Sequence, residues 1–137
     1  MKQLFFIVTI LLLTGCKQDN VNGIQIDDTL YTHQSYSENK EFCKLIKLTL
    51  DKDVSSLDSL IEWNCGGGAG CYDLGFVIVQ IIYKMGESDF NKFCMNLDSN
   101  KKLRLVDLIM AGLEYGYEST RSFKVEFPLL YSNLYKK

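Results

Sequence analysis

The stretch from Tyr72 to Met85, YDLGFVIVQIIYKM, followed by Gly86, decides the fold. Leu74, Phe76, Val77, Ile78, Val79, Ile81 and Ile82 point in almost every direction around a 3.6-residue turn, the pattern of a helix buried on all sides. Its β-branched residues would suit a strand, but the run is longer than an ordinary strand. It also ends on a glycine, the residue that most readily takes the left-handed conformation closing a helix. A helix apolar all round needs partners on every side, so the flanking segments are expected to supply amphipathic helices.

They carry the right spacing. Phe42, Leu45, Ile46 and Thr49 fall at i, i+3, i+4 and i+7, which predicts a helix from Glu38 to Asp51. Ser55 or Ser56 is the expected cap of a second, with Leu57, Leu60 and Ile61 on one face and Trp63 near its end, stopped by Gly66, Gly67 and Gly68. After the central helix, Ser88 is expected to cap a fourth carrying Phe90, Phe93, Cys94 and Leu97. Asp98 or Ser99 caps a fifth carrying Leu105, Leu108, Ile109, Gly112 and Leu113. Gly112 and Gly116, four apart, would let another helix approach closely. Phe123-Lys124-Val125-Glu126-Phe127 alternates like a strand, while Pro128 suits the first turn of a last short helix. Connections are short, so the expected fold class is all-α, a small helical bundle or HEAT-like stack of about five to six helices over residues 38–137.

The N-terminus reads differently. Lys2 gives a positive start, Leu4 to Leu13 is apolar but for Thr9, and Leu13-Thr14-Gly15-Cys16 closes the run. This is signal-peptide architecture, and a stretch well short of the roughly 20 apolar residues of a spanning helix. The four-residue ending resembles the lipobox of bacterial lipoproteins over about the first 16 residues. The resemblance implies removal of residues 1–15, acylation of the Cys16 thiol with palmitate-type chains, and an anchor in the cell envelope. Two or three acyl chains, at about 0.8 kcal/mol per buried methylene, hold far more firmly than one myristoyl group. Lys17 stands where Asp would favour inner-membrane retention, so the outer membrane is expected, facing the periplasm or the cell surface.

Residues 16–37 are rich in Asn, Asp, Gln, Ser and Thr, and read as a lipidated tether. A flexible chain of about 20 residues spans on the order of 25 Å, enough to hold a domain clear of the headgroups. The other reading is that Ile24 and Ile26 pair as a short edge strand or dock on the domain. Removing the leader takes one basic residue, Lys2, so the formal charge moves from −2 to −3. A mildly acidic domain without a basic stripe argues against a nucleic-acid partner.

The most unusual segment is Cys65-Gly66-Gly67-Gly68-Ala69-Gly70-Cys71. In an oxidising compartment Cys43, Cys65, Cys71 and Cys94 allow two disulfides in three connectivities. Cys65 with Cys71 is the first choice, because the intervening glycines adopt almost any shape needed to bring the two Cα atoms within about 6 Å. Cys43 with Cys94 would then join the first and fourth helices. Zinc prefers ligand pairs two to four residues apart, and a redox pair would be Cys-x-x-Cys; neither spacing is present, and no metal or other cofactor is expected. The loop lacks the Lys-Ser/Thr that follows a phosphate-binding loop.

Catalytic groups are sparse. His33 is the single histidine and lies in the expected tether, and Asp53, Asp58, Asp73, Asp89, Asp98 and Asp107 read as caps or solvated positions. The chain is therefore not expected to be an enzyme. Partner-binding candidates are the loop residues Gly66, Gly67, Gly68 and Gly70, and the pair Tyr115 and Tyr117 around Gly116, flanked by Glu114 and Glu118. A glycine-rich loop closed by a disulfide has low bulk and a small ordering cost, which suits an inhibitor entering a cleft. Tyrosines are common interface anchors, although they also line core edges with the hydroxyl in water.

In plan, size and compartment, and in its Gly-rich loop and hydrophobic helix over residues 60–116, the chain is similar to periplasmic immunity proteins that neutralise cell-wall amidase toxins of type VI secretion. The resemblance implies an envelope-anchored inhibitor that plugs a toxin's catalytic cleft, and a homodimer. The alternative is a structural or accessory envelope lipoprotein serving as a protein-binding module.

Overall fold

The computed structural model describes residues 19–116 and 121–135, an all-α bundle with one two-stranded antiparallel hairpin. In chain order these are β1 (Asn20–Val21), β2 (Ile24–Gln25), α1 (Asp28–Thr32), α2 (Tyr36–Leu50), α3 (Val54–Ile61), α4 (Ala69–Met85) and α5 (Glu87–Phe93). A 3-10 turn (Cys94–Asn96) follows, then α6 (Ser99–Tyr115), α7 (Phe123–Glu126) and α8 (Pro128–Leu134).

The apolar run forms α4, the centre of the bundle. Leu74, Val77, Ile78, Val79, Ile81 and Ile82 are all fully buried, and the helix touches α1, α2, α5, α6 and β2. Elements are thus arranged around one helix, not stacked as pairs. Its closest partner is α6, which runs antiparallel to it at backbone contact. A Cβ placed on Gly75 would lie 2.4 Å from the Leu108 carbonyl oxygen, and one on Gly112 would lie 2.2 Å from that of Gly75. Only hydrogen fits at either position. The close approach expected at Gly112 is present, and Gly116 gives room to the ring of Phe76.

Helix ends follow side-chain chemistry that periodicity alone does not show. The first long helix starts at Tyr36, earlier than Glu38, because Ser35 caps it and Glu38 is the third residue of a reciprocal capping box. Asp53, not Ser55 or Ser56, caps α3 by accepting from the Ser56 amide at 2.9 Å, and Trp63 lies beyond its end. Gly86, not Ser88, precedes α5, and Leu97 follows the 3-10 turn. Asp98 caps α6 as expected, accepting from the Lys101 amide.

Two expectations are corrected. Residues 123–127 form helix α7 and its end, not a strand: Val125 and Glu126 donate their amides to the Ser122 carbonyl, while Phe123 and Phe127 bury on one side. Residues 19–37 are not a tether. Val21, Ile24, Ile26 and Leu30 are buried to within 2% exposure, and Tyr31 to within 6%. These scattered apolar residues look insufficient for a core one at a time, but β2 and α1 pack on α4, β1 packs on α2, and Tyr31 reaches Cys43 of α2. Gln80 completes the attachment: it accepts from the Gln25 amide at 2.8 Å and donates to the Gln25 carbonyl at 2.9 Å. Ile24 and Ile26 thus both pair and dock, the second of the two sequence readings.

Candidate protein-binding surface

The antiparallel α4–α6 pair brings the start of α4 beside the end of α6. There Tyr72 and Tyr115 stack, with ring centroids 4.2 Å apart and planes 21° from parallel. Both stay open to solvent, 41% and 59% exposed, so the rings are held by each other and by the helices without being covered. The Glu114 carboxylate, then the neighbouring Tyr72, raise the Tyr115 hydroxyl above the ordinary phenol range, so it remains a neutral hydrogen-bonding group.

The glycine loop stands at the same end. Cys65 and Cys71 are joined by a disulfide with their Cα atoms 4.9 Å apart. Gly66, Gly67 and Gly68 have φ of +73°, +82° and +52°, conformations that L side chains rarely adopt, and all three are exposed. Gly70 is glycine for a different reason: a Cβ would meet the Cys65 carbonyl oxygen at 2.2 Å. Between the two cysteines the chain folds back tightly and projects almost nothing but backbone.

The feet of the loop are fixed from three sides. Arg104 on α6 donates to the carbonyls of Ile61 and, at 3.0 Å, Trp63, tying the end of α3 to α6. The Trp63 ring packs against Phe42 at 5.3 Å. His33, expected in a tether, lies against Gly66, so close that a Cβ there would be 2.9 Å from its ring. Asp73, the residue after Tyr72, accepts from the Leu30 amide and locks α1 onto α4. Three carboxylates, Asp27, Asp28 and Asp73, lie close together where α1 meets the start of α4. Burial, then Asp73 and Asp28, push the Asp27 carboxyl above the usual carboxylate range.

Of the candidates drawn from the sequence, Gly66, Gly67, Gly68, Gly70 and Tyr115 therefore converge on one end of the bundle; Tyr117 and the lipidation residue Cys16 lie outside the described residues. The Cys43–Cys94 pairing is corrected. Both thiols are free and buried: Cys43 hydrogen-bonds the Tyr31 hydroxyl at 3.3 Å, and burial pushes Cys94 up to about 12. Tyr72, His33 and Arg104 were not singled out as parts of this surface. For Tyr72 the signal was the pair of glycines on different helices, whose contact sets the register that stacks residue 72 on residue 115.

No family model, curated protein or solved structure matches this chain. Among the described residues no group of three or more His, Cys, Asp or Glu side chains is placed to hold a metal ion, and no helix is long and apolar enough to cross a membrane. What the arrangement offers is a disulfide-closed, low-bulk projection beside two exposed aromatic rings. Such a surface binds with little ordering cost, because the disulfide and the ring stack have already restricted the groups that would make contact.

Proposed function

We propose that this chain is a lipid-anchored envelope protein that binds and blocks a protein partner with the end of the bundle formed by the Cys65–Cys71 loop and the Tyr72–Tyr115 stack. In the immunity reading, the partner is an exported cell-wall-degrading toxin with a basic or open catalytic cleft. The observation that carries the reading is convergence. The loop residues Gly66 to Gly70 and Tyr115, more than forty residues apart in sequence and each a binding candidate on its own, share one surface that is braced from behind by Arg104, His33 and Asp73. Lipidation of Cys16 is part of the proposal and rests on the lipobox resemblance.

The test is binding and rescue. The exported protein is mixed with the product of each neighbouring gene, and cells producing that product in the periplasm are scored for survival. Nanomolar binding with rescue, both weakened about thirtyfold or more by Tyr115→Ala as expected of an interface anchor, supports the reading. Binding and rescue unaffected by both Tyr115→Ala and Tyr72→Ala sink the assigned surface. Co-purification with resident envelope proteins, together with growth defects on deletion in the absence of any toxin, would favour the accessory-lipoprotein alternative.

A further inference from the structure

We infer that Asn22 is a site of spontaneous deamidation, held off in the folded protein because the Asn20 side chain occupies the amide that would start the reaction. Asn22-Gly23 is the single Asn-Gly step in the sequence; every other asparagine is followed by a residue that carries a side chain. In this chemistry the main-chain nitrogen of the following residue attacks the carbonyl carbon of the asparagine side chain. A C–N bond forms, the nitrogen gives up its proton, ammonia leaves, and a cyclic succinimide remains. Water then opens the ring at either carbonyl. One product is an aspartyl residue, the other an isoaspartyl residue whose main chain runs through the former side chain. Glycine, lacking a Cβ, leaves the attacking nitrogen least shielded, so the reaction favours this step.

The fold places the pair where it is accessible yet restrained. Val21 pairs with Ile24, so Asn22 and Gly23 alone make the turn of the β1–β2 hairpin, with φ of +51° and +83°, and both are exposed. Asn-Gly is the sequence most favoured in such a turn, which explains why a labile step stands here. Its attacking atom is engaged. The Gly23 amide donates to Asn20 Oδ1 at 2.9 Å, and that bond must open before the nitrogen can lose its proton or swing toward the Asn22 side chain. Asn20 itself is followed by Val21, which is β-branched and fully buried, so the guarding residue is poorly placed to cyclise. The two products differ in what they do to the hairpin. An aspartyl residue suits the same turn, and the Lys84 ammonium stands beside Gly23. An isoaspartyl link lengthens the main chain by one carbon inside a two-residue turn, which upsets the register that buries Val21 and Ile24.

The experiment incubates the folded protein and its Asn20→Ala and Asn20→Asp variants in mildly alkaline buffer, then digests them and separates aspartyl from isoaspartyl peptides by chromatography with mass detection. Hydrogen exchange at the Gln25 and Ile26 amides, which are bonded to Gln80 and to the Asp19 carbonyl, reports whether the hairpin is still closed. Asn22 is expected to convert about fivefold faster in Asn20→Ala with both amides still protected, and no faster than the parent in Asn20→Asp, which keeps an acceptor. In denaturant the parent should convert at least as fast as folded Asn20→Ala. Equal rates in the folded parent and Asn20→Ala overturn the guarding role of Asn20. So does acceleration that comes only with loss of amide protection, since the hairpin as a whole then does the shielding. Asn22 left intact even in denatured protein overturns the site itself.

Discussion

Replacing Gly112 by alanine separates local helix preference from tertiary packing in a single atom. On a solvent-exposed helix, Gly→Ala stabilises by about 1 kcal/mol, through backbone entropy and the loss of glycine's poor propensity. At position 112 the new Cβ would stand 2.2 Å and 2.4 Å from the carbonyl oxygen and carbon of Gly75 and 2.8 Å from Val79 Cγ2. Ordinary contact begins near 3.4 Å, so α4 and α6 must move apart by roughly an ångström along their tightest seam. Two of the three obstructing atoms are backbone and cannot rotate away. Overpacking typically costs 1–3 kcal/mol, and a clash against backbone belongs at the top of that range, so the net expectation is a loss of about 2 kcal/mol. For a domain of this size that lowers Tm by roughly 8 °C. Thermal unfolding followed by circular dichroism measures it, with the exposed Asn100→Ala of the same helix as the control. Gly75→Ala opens the same seam, so the double variant should cost clearly less than the sum of the two singles. An unchanged or raised Tm for Gly112→Ala would refute the backbone contact on which the Tyr72–Tyr115 alignment depends.

Other expectations follow from particular groups. Changing Cys65 and Cys71 together to serine frees a short loop from closure and should cost about 2 kcal/mol by the chain-entropy estimate, seen as a Tm difference between oxidised and reduced protein that vanishes in the variant. With Cys16 changed to serine so that its thiol does not count, a thiol-specific reagent should find almost no reactive thiol in the native protein and two per chain after denaturation, because Cys43 and Cys94 are buried and unpaired; none after denaturation would restore the Cys43–Cys94 bond. Gln80→Leu strands the Gln25 amide and carbonyl, at a cost of about 1–3 kcal/mol, and should accelerate hydrogen exchange in residues 20–30 before the rest of the domain. Hydrogen bonds to Ser35 hold the Glu38 carboxyl below its ordinary value, those to Ser55 and Ser56 do the same for Asp53, and Lys52 and Lys92 do so for Asp89. Such groups stabilise above the unfolded carboxylate pKa, and that contribution is lost as pH falls through the lowered folded value. Asp27 is raised and works in the opposite direction, favouring the fold as it protonates. Denaturant midpoints measured between pH 7 and pH 3 should therefore fall with acid, less steeply in Asp53→Asn, which keeps the cap without the charge.

The helices were legible where one residue type repeated at one spacing. Leu74 to Ile82 identified the core helix, and Phe42, Ile46 and Thr49 the buried face beside it, because burial on a helix leaves a regular trace. Residues 20–31 left none. Val21, Ile24, Ile26, Leu30 and Tyr31 reach the core through two-residue strands, a tight turn and a five-residue helix, elements too short for any period to repeat, and the partner that completes them, Gln80, is 55 positions away. The alternation of residues 123–127 misled for the same reason: over five positions a strand and a single helical turn are hardly distinguishable. The candidate surface was half visible. The cysteine spacing foretold a stapled loop, and Tyr115 was noticed, but that they adjoin depends on the contact between Gly75 and Gly112, which only the packed structure shows.

The Gln80 amide that grips both backbone groups of Gln25 also sets how the molecule bears load. A hairpin with two-residue strands would peel open under a small pull on its first residue. Here the strand nearer the core is stitched to the middle of α4, whose own seam with α6 is locked backbone to backbone. A pull on Asp19 would break its bond to Ile26 and then the rungs between the two short strands in turn, while β2 stays held to α4 through Gln80. The glycine loop lies on the side to which this hairpin leads, because Leu30 bonds Asp73 at the start of α4 and His33 lies against Gly66, so strain in the hairpin would be passed to the candidate surface and not shielded from it.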